Sequence, residues 1–91
     1  MKDEAKTWIV YALENFAVAQ LALENYYFNS CLQNAQQAIE KAMKAMVIDI
    51  AGSVKRTHQI SELRAILLNN SIDTGLTDEE CDFTDAIYVP S

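Results

Sequence analysis

An all-α fold, an up-down four-helix bundle built on a long antiparallel helix hairpin with two shorter helices, is what this sequence predicts, on three observations. Apolar residues recur at steps of three and four through most of the chain. No segment alternates apolar and polar with period two over a useful length. Both glycines and the single proline fall between the periodic segments rather than inside them. The length of 91 residues fits one domain, 1–91, with one thin core. A chain of this size buries only about 60 to 65% of the surface its unfolded form exposes, so added burial at an oligomer interface is favourable.

The elements follow in order. Trp8, Ala12, Phe16, Ala19, Leu23, Tyr26 and Tyr27 lie on one helical face, which predicts a helix over 4–27. Asn29 and Ser30 interrupt it, and Ser30 with Gln33 has the spacing of a capping box at the start of a second helix. That helix carries Leu32, Ala35, Ile39, Ala42, Met43, Met46 and Ile50, and stops at Gly52, which adopts a left-handed conformation without strain. A connection of about two residues forces the two helices to fold back antiparallel. After a polar turn, Ile60, Leu63, Ile66, Leu67 and Leu68 predict a third helix that ends near Asn69 and Asn70, with Thr57 placed to cap it. Thr77 and Glu80 form a second capping-box pattern ahead of Phe83, Ile87 and Tyr88, which mark a last helix closed by Pro90.

Charge narrows the function classes. The net charge is -6, yet residues 1–70 balance seven bases against seven acids, and the last 21 residues carry the excess in Asp73, Asp78, Glu79, Glu80, Asp82 and Asp85. An acidic end opposes indiscriminate binding to nucleic acid, while a small basic patch stays compatible with the sequence. One His and two distant Cys do not compose a metal site, and neither Gly52 nor Gly75 belongs to a phosphate-binding glycine motif, so no cofactor is expected. Charged residues interrupt every apolar run before it reaches a bilayer's length. With no leader-like segment after Met1, the expectation is a cytoplasmic, reduced protein in which Cys31 and Cys81 are small buried hydrophobes.

One block stands out: Gln36-Gln37-Ala38-Ile39-Glu40-Lys41-Ala42-Met43-Lys44-Ala45, followed by Lys55-Arg56-Thr57-His58 at the opening of the third helix. Together with the long aromatic-bearing first helix, it resembles the HEPN domain of prokaryotes. The resemblance implies a helical bundle, commonly dimeric, that often pairs with a minimal nucleotidyltransferase in a toxin and antitoxin operon, or binds nucleotide or RNA. Some members resemble one another as metal-independent ribonucleases, with an Arg a few residues before a His in a composite dimer site. Here Ala51, Gly52 and Ser53 stand where that Arg would be, and Arg56 is two residues before His58. The resemblance therefore leans towards a binding module; the alternatives are a ribonuclease using His58 and Arg56, and a purely structural oligomerisation bundle. The ending Tyr88-Val89-Pro90-Ser91 resembles the start of a family terminus that continues into Arg-Tyr-Pro, so a chain truncated there would lack a basic residue.

Candidate nucleotide- or RNA-binding residues are Lys41, Lys44, Lys55, Arg56 and His58. Gln37, Lys41 and Lys44 recur at steps of four and three, and Glu40 is spaced to pair with Lys44. Two readings are open: a solvated helix face, or a basic groove shared with Lys55, Arg56 and His58 if the third helix packs back on the second. His58 has a structural, capping reading and a ligand or acid-base reading. The start of the third helix, flanked by Lys55 and Arg56, is the best anion site the sequence offers. Trp8, Tyr11, Phe16, Tyr26, Tyr27 and Phe28 read as core or interface residues, with base stacking the lesser alternative.

Overall fold

The computed structural model describes residues 1–54, 56, 57 and 59–87; Lys55, His58, Tyr88 and Pro90, named above, lie outside the described residues. The described residues form four helices in the order α1 (Asp3–Glu24), α2 (Phe28–Ala51), α3 (Ile60–Asn69) and α4 (Asp78–Ile87), with no strand among them. The expected all-α arrangement on a long antiparallel hairpin is what the chain adopts. Among the helices, α1 packs only on α2, whereas α2 also carries α3 and α4 on its other side.

Helix ends explain where the boundaries fall. Asp3 and Glu4 in the first turn of α1 complement the positive end of its dipole. The helix closes three residues sooner than the apolar spacing suggested. Tyr26 takes a left-handed φ of 63°, the Tyr27 N–H donates to the Ala22 carbonyl at 2.8 Å, and the Tyr26 N–H donates to the Leu23 carbonyl at 3.1 Å. This crossed pair satisfies carbonyls that a helix C-terminus otherwise leaves open. The same pair recurs at the end of α3, where Ser71 has φ 64° and Ile72 donates to Leu67 at 2.9 Å. Gly52 closes α2 in the left-handed region, as expected.

At the start of α2 the Ser30–Gln33 capping box does not form, because the helix already begins at Phe28 and both residues lie within it. Gln33 instead donates to the Ile87 carbonyl at 2.6 Å, tying α2 to the end of α4. The Thr77–Glu80 box does form: the Glu80 N–H donates to Thr77 Oγ1 at 3.1 Å and the Thr77 N–H to Glu80 Oε1 at 3.0 Å. Thr57 caps a turn ahead of α3 rather than the helix itself, accepting from the Gln59 N–H and donating to Glu62 Oε2. The first N–H groups of α3 meet a distant residue: Ile60 and Ser61 donate to the carboxylate of Asp85 in α4.

The core lies between α2, α3 and α4, where Met43, Val47, Ile60, Leu63, Leu67 and Cys81 are buried together. Alanines dominate the contact of α1 with α2. Ala5, Ala12, Ala19 and Ala22 are buried along α1, and side chains this small let the two axes approach closely. Ala12 and Ala19 thus sit where the spacing placed them, but larger members of the expected stripe do not. Phe16 and Leu23 of α1, and Tyr26 and Tyr27 just beyond its end, are exposed in the single chain, because α1 has one helical neighbour among the described residues. No helix among the described residues is long and apolar enough to cross a membrane.

Candidate functional site

The hairpin of α1 and α2 has two unlike flanks, and the candidate binding residues Lys41 and Lys44 lie on one of them. There α1 contributes Trp8, Tyr11 and Asn15 at steps of three and four, and α2 contributes Asn34, Gln37, Lys41 and Lys44 at the same steps. Asn15 stands at the middle. Its amide nitrogen donates to Asn34 Oδ1 at 3.0 Å, and its oxygen accepts from Lys41 Nζ at 2.7 Å. The Lys41 ammonium also lies 6.0 Å from the Tyr11 ring centroid, at the edge of cation–π range.

One helical turn on, Lys44 Nζ donates to Glu40 Oε2 at 2.8 Å and sits 5.3 Å from the centre of the Trp8 ring. Trp8 in turn meets Tyr11 edge to face, with ring centres 6.2 Å apart. The solvated reading of this stripe fails for Glu40 and Lys44, whose side chains are 2% and 8% exposed. A charged pair so deep is held by what surrounds it. Gln36, itself buried, donates to Glu40 Oε1 and accepts from Gln37, so the polar groups form a ladder along α2 instead of standing alone.

Of the five candidate binding residues, the structure brings Lys41 and Lys44 together on this flank, each engaged by a residue of the hairpin. Arg56 is exposed in the segment between α2 and α3. The N–H groups that begin α3, the best anion site in the sequence, are taken by an anion of the chain's own: Asp85 accepts from the Ile60 and Ser61 N–H groups and, at 2.7 Å, from Ser61 Oγ. Sequence reasoning missed Trp8 and Tyr11 as partners of the lysines, and it missed Asn15. Their spacing of three and four along α1 was the available signal, but only the pairing of the helices shows what they face.

Cys81 is buried and is not set up as a nucleophile. Burial pushes the Cys81 thiol above its ordinary value of 9.0, with Arg64 opposing the shift. Among the described residues no group of three or more His, Cys, Asp or Glu is placed to hold a metal ion.

The opposite flank is apolar. A groove of about 280 Å³ runs between Ile9, Leu13 and Phe16 of α1 and Ala38, Ile39 and Ala42 of α2, with Ala12 at its base. Ile39 also borders a second groove of about 450 Å³, formed with Leu76, Phe83, Thr84 and the acidic Glu79 and Glu80. Phe16, Leu13 and Phe83 are each more than half exposed on this side.

Comparison with known families gives one finding: the model of the HEPN domain matches residues 5–91. No curated protein and no solved structure matched the chain.

Proposed function

Given that the chain belongs to the HEPN domain family, we propose that it is a helical interaction module, dimeric, that partners a minimal nucleotidyltransferase in a toxin and antitoxin type of system and contacts nucleotide or RNA at a small basic groove. The observation that carries this reading is α1. The helix is apolar around most of its circumference: Val10, Leu13, Phe16, Val18, Leu21 and Leu23 are all exposed in a chain whose other helices leave α1 a single neighbour. Helices apolar on every side are normally covered on every side. An apolar expanse of this kind marks a protein-protein surface.

In this reading the residues that contact the ligand are Lys41, Lys44, Lys55, Arg56 and His58, of which Lys55 and His58 lie outside the described residues. Lys41 and Lys44 supply cations already set against the Trp8 and Tyr11 rings, and Arg56 offers an exposed guanidinium suited to bidentate contact with phosphate. The acidic first turn of α4, with Asp78, Glu79 and Glu80, disfavours such contact there.

Two experiments test the two halves. Co-expression with a nucleotidyltransferase from a neighbouring reading frame is expected to give a complex that stays together at micromolar concentration; clean separation on size exclusion contradicts the partnership. Trp8 is the single tryptophan and lies against Lys44, so its fluorescence reports on the groove directly. Titration with nucleotide or short RNA is expected to change that fluorescence, with affinity falling as salt rises and lost in Arg56→Ala. Unchanged fluorescence and no binding at low salt contradict the nucleotide half.

A further inference from the structure

The exposed side of α1 carries an ordered pattern. Lys6, Val10, Leu13, Ala17, Gln20 and Glu24 follow one another at steps of four, three, four, three and four, the spacing of a seam between two helices. All six are exposed, with Val10 at 61% and Leu13 at 63%, and they lie to one side of the alanines that face α2. The seam therefore belongs to no helix-helix contact among the described residues. It begins on a cation, ends on an anion, and is uncharged between them.

We infer that this stripe is the self-association surface, pairing with the same stripe of a second copy in antiparallel order about a two-fold axis near the middle of α1. The inference rests on the dimeric part of the proposed function and deepens it by naming the surface and the register. Three properties select a second copy as the occupant. Antiparallel pairing sets Lys6 of each copy against Glu24 of the other, so both ends are matched by charge. It sets Leu13 against Ala17, a large side chain against a small one, at two positions related by symmetry, and Val10 against Gln20. Parallel pairing would oppose Lys6 to Lys6 and Glu24 to Glu24 and is disfavoured at both ends. Only a copy of the same helix carries this complementarity by necessity, since a two-fold interface uses one patch twice. At a rise of about 1.5 Å per residue the stripe is about 27 Å long, a full helix-helix contact.

The test is the oligomeric state of the full chain by sedimentation velocity across a dilution series. The unsubstituted protein is expected to be a dimer. Lys6→Glu and Glu24→Lys each replace two attractive pairs by two like-charged ones and are expected to weaken association by about tenfold. The doubly exchanged Lys6→Glu/Glu24→Lys protein is expected to return to within about threefold of the original. Leu13→Glu is expected to be monomeric throughout, and since Leu13 is exposed in the single chain its circular dichroism stays helical. A dimer indifferent to all of these substitutions places the interface elsewhere and overturns the inference while leaving the dimeric reading intact. A dimer weakened by each single exchange but not restored by the double one overturns the antiparallel register. A chain monomeric at every concentration overturns both.

Discussion

The two flanks of the α1–α2 hairpin are built by the same pair of helices and satisfy opposite requirements. On one, Asn15, Asn34, Lys41, Glu40 and Lys44 are tied to one another across and along the helices, and Trp8 and Tyr11 lie over the cations. On the other, Ile9, Leu13, Phe16 and Ile39 line an open groove. Polar groups taken from water need partners of defined geometry, and here the chain supplies them internally. Apolar groups need only cover, and here the chain does not provide it. In the proposed reading a binding site for a charged ligand and a docking surface for another protein are thereby kept apart on a hairpin of two helices, the first requiring exchange of existing contacts and the second only desolvation.

The comparison breaks most severely at the polar flank. Replacing Glu40 by Ala leaves the Lys44 ammonium buried without the carboxylate it bonds, and urea unfolding is expected to show a loss of about 3 kcal/mol. The double change Glu40→Leu/Lys44→Met is expected to recover most of that loss, because removing both charges removes the desolvation they impose. An undiminished stability for Glu40→Ala means that the pair is not held as described. Between the flanks, Ala5→Leu tests the close approach of the two helices, since Ala5 is packed against Ala45 and Ile48. The added side chain overfills a buried position and is expected to cost about 2 kcal/mol by thermal unfolding.

Asp85 tests how α4 holds the start of α3 away from both flanks. Asp85→Ala leaves the first N–H groups of α3 without their acceptor and is expected to cost about 1 kcal/mol, with hydrogen exchange at Ile60 and Ser61 accelerated more than at Leu67. The smallest effect belongs to the apolar flank. Phe16→Ser is expected to change the stability of the isolated chain by less than about 0.5 kcal/mol, since the ring is 53% exposed there. A large loss at Phe16 would mean that the flank is already covered within the chain.

Much of the architecture was legible because apolar spacing of three and four survives local irregularity. The Thr77–Glu80 box and the Gly52 closure were legible too, since each is a local pattern with its own chemistry. The closures at Tyr26 and Ser71 were not. A left-handed C-terminal residue is usually announced by Gly, and here two other residues adopt it, held by backbone hydrogen bonds that no residue type reveals. Ser30 and Gln33 show the converse, a correct pattern made idle by a helix that starts earlier. The shared face of Lys41 and Lys44 was readable from their spacing, but the burial of Glu40 and Lys44 was not, because i,i+4 ion pairs are found mostly at surfaces. Asp85 lies 25 residues from the N–H it accepts, and only tertiary packing makes that pair.

The central claim is that the outer stripe of α1, and not the polar flank, meets a second copy. Amide and indole NMR signals followed on serial dilution test it residue by residue. The account predicts that the amides of Val10, Leu13, Ala17 and Gln20 shift as the dimer dissociates while the Trp8 indole stays in place. Movement of the Trp8 indole and the amides around Lys41 with an unmoved outer stripe of α1 would contradict it.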